Sequence, residues 1–237
     1  MILKIEFRAS EDFRIWKVQE KISSVLYKIL STTELQNIHD SSYTQFSFSP
    51  FYPFIQDGRF YKNEIYSIEI RSPNFDLIDT LHRELQKREF IELDYNRLYL
   101  DKTIFQQPKL NILKVKSISP VVISVSDKMA EKYRIEKRSK TLYWLPKMNF
   151  QLFIDSLNRN MVRKWNRWNE KQYDENLQII GSFKLLKNFP IMVDYKKGRI
   201  AGTLWEFELI QEFPDIIKFN YLSGFGEKSG SGFGFVN

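Results

Sequence analysis

The chain has 237 residues, 43% of them hydrophobic, with 20 Phe and 12 Tyr; that is enough for one large core or two smaller ones, and too apolar for a disordered polymer. Cysteine is absent, which excludes disulfide frameworks, thiolate metal sites and cysteine nucleophiles. The 36 Lys and Arg against 29 Asp and Glu leave a formal net charge of +7, which fits either a polyanionic partner or a merely basic soluble protein.

The first residues, "MILKIEFRAS", carry charges too early for a signal peptide, and no apolar run approaches the roughly 20 residues of a membrane span. The expectation is a soluble cytoplasmic protein with no membrane partner. Alternation of apolar and charged residues over 2–8 predicts a half-buried strand. Over 15–30 the spacing changes, and Val18, Ile22, Val25, Leu26, Ile29 and Leu30 share a helical face. "STTE" at 31–34 reads as a capping box with Ser31 as N-cap, opening a short second helix to about Ile38. "HDSSYT" is loop. Strands follow over 45–51 and 64–72, with Asp57-Gly58 as a turn before the second. An amphipathic helix over 74–88 carries Leu77, Ile78, Leu81 and Leu85, and 90–102 is strand or hairpin. This order is the ferredoxin-like pattern.

"QQP" at 106–108 marks a boundary, after which the pattern restarts. A long or broken strand spans 110–126, a basic polar stretch 127–140, and a helix 149–168 with Phe150, Phe153, Ile154, Leu157, Met161, Trp165 and Trp168 as its stripe. Two strands lie within 177–194 and 200–212, joined by a turn at "YKKGR". A short helical segment near 214–222 leads to "FGFVN", a last strand. The predicted fold class is α+β: two tandem ferredoxin-like, or RRM-like, domains at 1–108 and 109–237. No RNP1-type stretch is present, so base stacking on an RRM sheet face is not supported.

Five of the nine glycines fall in the closing stretch: Gly224, Gly226, Gly230, Gly232 and Gly234. It fits neither a phosphate-binding P-loop nor a dinucleotide fingerprint. Two readings stand. One is a glycine-rich hairpin closing the sheet. The other is a run of bare backbone N–H groups that cradles phosphate, with Lys228 as a cation and Phe225 and Phe233 as anchors.

The two histidines differ in setting. His82 lies within the 74–88 helix and reads as a helix-face residue. His39 lies in a polar loop, either making local hydrogen bonds or moving a proton. With Tyr27 one helix upstream, His39 has the chemistry for metal-free cleavage of RNA, where a base takes the 2′-hydroxyl proton and an acid protonates the leaving 5′ oxygen. Two isolated histidines and no carboxylate cluster argue against a metal site. The basic run 128–140 is either a solvated loop or a phosphate contact. Arg163, Lys164 and Arg167 interleave with Trp165 and Trp168, a pattern read chiefly as core for the tryptophans.

"GFGEKSGSGFGFV" resembles the C-terminal glycine-rich signature of the CRISPR-associated endoribonucleases that cut precursor CRISPR RNA within its repeats. These belong to the repeat-associated RNA-binding superfamily, built from tandem ferredoxin-like domains. "VLYKILSTTELQNIHDSS" resembles the same family's tyrosine-bearing helix, short helix and catalytic histidine, and "FSFSPF" the strand that follows. The resemblance implies His39 as general acid/base with Tyr27 as its partner. It implies an RNA-facing loop shaped by Gly224, Gly226, Lys228, Gly230, Gly232 and Gly234. It also implies cutting without metal or cofactor, 2′,3′-cyclic phosphate ends, and retention of the product for an interference complex. Some members place a lysine shortly after the histidine; "DSSYTQF" at 40–46 has none, and Lys28, Arg59 or Lys62 are the candidate substitutes. The alternative is a non-catalytic repeat-RNA-binding subunit. On the RNA-facing reading, Gly226→Val is expected to impair RNA binding more than folding.

Overall fold

The structure is a computed structural model that describes residues 1–35, 45–55, 57–108, 111–137 and 141–237. The chain divides into two compact units: Met1–Pro108 with Gly230–Gly232, and Lys109–Ser229 with Phe233–Asn237.

The first unit comprises β1 (Ile2–Ala9), β2 (Phe13–Arg14), α1 (Val18–Ser31), β3 (Ser47–Phe48), β4 (Arg59–Phe60), β5 (Ile65–Arg71), α2 (Phe75–Gln86), β6 (Phe90–Leu93) and β7 (Asn96–Gln106). Its main sheet runs β3-β5-β1-β7-β6 with every pairing antiparallel. Leu3, Ile5 and Phe7 point to one face, where Ile22, Leu26, Ile29 and Leu30 of α1 and Leu77, Ile78, Leu81 and Leu85 of α2 join them in one core. The alternate residues carry charge pairs, Lys4 with Glu6 at 2.9 Å and Arg8 with Asp101 at 2.8 Å. The two helices on one face of an antiparallel sheet are the expected ferredoxin-like arrangement. The short β2 and β4 form a separate ribbon, with Phe13 stacked on Phe60.

Ser31 departs from expectation. It is the last residue of α1, and its hydroxyl donates to the Lys28 carbonyl at 2.9 Å. Thr32 and Thr33 do the same to Ile29 and Leu30. These hydroxyls satisfy the open carbonyls at a helix end, so "STT" closes one helix where its composition suggested the start of another. The rest of the expected second helix, from 36, lies outside the described residues.

The second unit comprises β8 (Lys114–Lys116), α3 (Asp127–Lys132), α4 (Phe150–Trp168), β9 (Ile180–Leu185), β10 (Ile191–Tyr195), β11 (Gly198–Gly202), β12 (Trp205–Leu209) and α5 (Pro214–Ser223). A three-stranded sheet runs β8-β12-β9, and the closing segment extends it beside β8 through reciprocal bonds between Lys116 and Asn237, both 3.0 Å. The predicted 177–194 and 200–212 strands each break in two. Residues 186–190, ending in Pro190, separate β9 from β10, and Thr203 and Leu204 separate β11 from β12, so β10 and β11 form their own hairpin.

The core of this unit centres on Trp205, stacked on Phe153 at 4.4 Å and beside Trp144 and Phe207. The Asn149 side chain caps α4 by accepting the Gln151 N–H at 2.7 Å. Asn149→Ala is expected to cost about 1 kcal/mol of stability without changing the fold, seen as a lower denaturation midpoint at unchanged m-value. Among the described residues no helix is long and apolar enough to cross a membrane.

Candidate functional site

Beside the core face of α1 runs a second stripe: Gln19, Ser23 and Tyr27, each four residues from the last and therefore aligned along the helix. The Ser23 hydroxyl donates to the Gly230 carbonyl at 2.7 Å, and Gln19 Nε2 to the Gly232 carbonyl at 3.2 Å. Tyr27 is half-buried, its ring tilted against Phe46 at 5.4 Å. α1 thus puts Tyr27 one turn beyond the residue that holds Gly230. Neither Gln19 nor Ser23 stood out in the sequence; the signal was two polar residues at helical spacing flanking an apolar stripe.

His39, the residue expected to work with Tyr27, lies outside the described residues. Lys28 is exposed in the last turn of α1. Arg59 is exposed on β4, and Lys62 is exposed just beyond it, its backbone N–H donating to Asp12 at 2.7 Å. Tyr27 and Lys28 therefore lie on the helix whose Gln19 and Ser23 hold Gly232 and Gly230, while Arg59 and Lys62 lie on the β2–β4 ribbon and its exit. His82 is the expected helix-face histidine: Nε2 lies 3.0 Å from the Thr103 hydroxyl, and the ring stands edge-on to Phe105.

The remainder of the glycine-rich stretch belongs to the second unit, and packing places it. Phe225 and Phe233 are fully buried. The Phe225 N–H donates to the Gly234 carbonyl at 2.8 Å, Glu227 N–H to Val122 at 2.9 Å, and Gly234 N–H to Pro120 at 2.9 Å. Those three N–H groups are spent within the protein and are not available to a phosphate. Gly226 has φ +73°, and a Cβ there would lie 2.5 Å from the Val122 carbonyl oxygen; at Gly234, with φ +67°, it would lie 1.8 Å from that of Phe225. Gly226→Val therefore acts on folding first, opposite to the expectation from sequence. Gly224, Gly230 and Gly232 are also buried, and Lys228 is the exposed cation of the stretch.

Lys164 is the larger surprise. The predicted α4 stripe included Trp165 and Trp168, but Trp165 is half-buried and Trp168 is 40% exposed, both against Phe219 of α5. Lys164, three residues after buried Met161, takes the inward position and donates to the Gly224 carbonyl at 2.7 Å. Burial pushes its ammonium down from 10.5 to about 7, opposed in part by the Glu227 charge. In the basic run, Lys132 pairs with Asp155 at 2.7 Å and Lys137 with Asp127 at 2.6 Å. Among the described residues no three His, Cys, Asp or Glu side chains gather as a ligand group.

Residues 105–237 match the family described as CRISPR associated protein Cas6, C-terminal, over more than half of the chain. The chain belongs to the Cas6 family. It is 25% identical to CRISPR-associated endoribonuclease Cas6 2 of Methanocaldococcus jannaschii, over 100% of this chain and 99% of that protein. It is 30% identical to Cas6 1 of the same organism over 76% of this chain and 64% of the relative. Among solved structures, one described as CRISPR associated protein Cas6 superposes with a TM-score of 0.77 at 22% identity, covering 100% of this chain and 98% of that one. Another, described as an RAMP protein binding different RNA substrates, gives 0.75 at 19% identity, covering 100% and 98%. At these identities the structural likenesses bear on the fold, and they agree with the ferredoxin-like layout of the Cas6 chain.

Proposed function

We propose that the chain is an endoribonuclease that cuts precursor CRISPR RNA within its repeats, without a metal ion. The relatives named as Cas6 endoribonucleases support the activity. The observation that carries the site is the α1 stripe, in which Ser23 and Gln19 hold Gly230 and Gly232 on the helix that also carries Tyr27. In the reaction the 2′-hydroxyl loses its proton and its oxygen attacks the adjacent phosphorus. The bond to the 5′ oxygen breaks, that oxygen takes a proton, and the products end in a 2′,3′-cyclic phosphate and a 5′-hydroxyl. His39 and Tyr27 move the two protons. Lys28, Arg59 or Lys62 supplies positive charge to the phosphorane. The exposed Lys228 meets the RNA backbone, and the buried Gly224, Gly226, Gly230, Gly232 and Gly234 set the course of the chain on either side of it; the product passes to an interference complex in the cytoplasm.

The test is cleavage of the cognate repeat RNA in excess EDTA, comparing the unaltered chain with His39→Ala and identifying the ends produced. Cutting by the unaltered chain alone, with a cyclic phosphate end, supports the proposal. Activity that EDTA abolishes, or that survives His39→Ala, refutes it. A second reading, a repeat-RNA-binding subunit without catalysis, is favoured by the absence of lysine from 40–46. It predicts binding with no cutting by either protein.

A further inference from the structure

Lys164 is only 4% exposed, on the core side of α4. Its partner, Gly224, is where α5 stops, with φ 85° and ψ 154°. A buried carbonyl outside any ladder needs a donor, and Lys164 supplies it at 2.7 Å. Three residues on, Glu227 is anchored separately. Its side chain accepts the Ser124 N–H at 3.0 Å and the Ser124 hydroxyl at 2.7 Å, and its own N–H donates to Val122. The stretch is thus tied at two points before Lys228, its exposed cation.

We propose that Lys164 is a positioning residue for RNA binding: its ammonium fixes Gly224 and, with the Glu227 anchor, the course of the glycine-rich stretch that faces the RNA backbone. The inference rests on the RNA reading above. A methionine of similar length would fill the same space but leave the Gly224 carbonyl without this donor, so the lysine both satisfies that acceptor and fixes where Gly224 sits.

Glu227, from the glycine-rich stretch, is the charge acting on Lys164, and Tyr143 is in turn raised by burial and by Glu227. On α4 itself Arg163 is engaged with Glu175 at 2.8 Å, and α5 contributes the neutral Asn220, bonded to the Met161 and Ile216 carbonyls. Because the folded value is depressed from 10.5 to about 7, the unfolded chain holds a proton that the folded chain has shed between those pH values. Stability therefore rises with pH across that window. The clamp runs the other way: it is charged, and its hydrogen bond strongest, below about pH 7.

The deciding experiment uses a His39→Ala background, so that the RNA is not cut during the binding measurement. Binding of the cognate repeat RNA is measured from about pH 6 to about pH 8.5, with a scrambled RNA of equal length beside it. With Lys164 present, affinity is expected to fall about tenfold as pH rises, the scale of one charge-assisted hydrogen bond. Lys164→Met is expected to bind about tenfold more weakly at the acid end, with a flat profile, while unfolding as cooperatively as its parent. Loss of the stability slope alone, with affinity and its profile unchanged in Lys164→Met, overturns the inference and leaves the RNA reading intact. If Lys164→Met does not fold, the parent's own profile decides, and a flat one overturns the inference. Failure of the parent to prefer repeat RNA over the scrambled sequence at any pH overturns the RNA reading, and the inference with it.

Discussion

Gly234→Ala is expected to unfold the second unit at temperatures where the unaltered chain is intact. The added Cβ would lie 1.8 Å from the Phe225 carbonyl oxygen, a backbone atom with no rotamer to yield. The residue would also keep φ near +67°, which costs an alanine roughly 1–2 kcal/mol. Relief requires the backbone to part, and both ladder-like bonds of Gly234, from the Phe225 N–H and to the Pro120 carbonyl, then weaken at roughly 1 kcal/mol each. A total of about 3–4 kcal/mol is a large share of the roughly 5–15 kcal/mol that holds a domain folded. Gly226→Val should behave alike through the Val122 carbonyl. Gly198→Ala is the control: nothing lies within 4 Å of its Cβ, and its stability should stay within about 0.5 kcal/mol. Thermal unfolding with limited proteolysis ranks the three. An intact Gly234→Ala protein that merely fails to bind RNA would restore the reading of these glycines as ligand contacts first.

That ordering shows what the sequence carried and what it withheld. The density of glycine was plain, and so was the need for unusual backbone angles. Which partner demanded each glycine was not: Val122, which meets Gly226, is about a hundred residues away in the chain, and Phe225 meets Gly234 only because the chain turns back on itself. α2 was legible because Leu77, Ile78, Leu81 and Leu85 keep one face and all four are buried. The strand over 64–72 was legible by its residue types and appears as β5. The β10–β11 hairpin was not separable: β10 alternates between half-buried and exposed residues, but apolar Met192 takes an exposed position, so the alternation is not written in residue type. Ser31 misled because serine favours helix starts on average, whereas a hydroxyl at a helix end also has open carbonyls to donate to. Lys164 was hidden for the opposite reason. A lysine in a run with Arg163 and Arg167 reads as surface, and only the position three after Met161 betrayed it. The helix that carries Tyr27 was legible, while the roles of Ser23 and Gln19 in holding Gly230 and Gly232 needed the tertiary contact.

In the His39 and Tyr27 pair the two variants should separate chemistry from binding. His39→Ala is expected to slow single-turnover cleavage by about a thousandfold or more, within the roughly 10²–10⁴ that general acid–base groups supply, with the repeat-RNA Kd unchanged. Tyr27→Phe keeps the ring against Phe46 and removes only the hydroxyl, so the helix and its hold on Gly230 persist. Its loss should reach about a hundredfold if the hydroxyl carries one of the two protons. The double variant is the informative one. Two groups serving opposite ends of one proton path act as a unit, and their losses do not add. A double variant no slower than His39→Ala therefore supports the pairing, whereas a fully additive loss assigns Tyr27 to binding or orientation. Ser23→Ala completes the argument from the other side. It leaves His39 and Tyr27 in place and releases the Gly230 carbonyl, a buried acceptor worth roughly 1–3 kcal/mol if it finds no other donor. Weaker RNA binding with an unchanged rate at saturating RNA would assign the α1 stripe two jobs along one helix: Gln19 and Ser23 setting where the backbone lies, and Tyr27 acting on the bond held there.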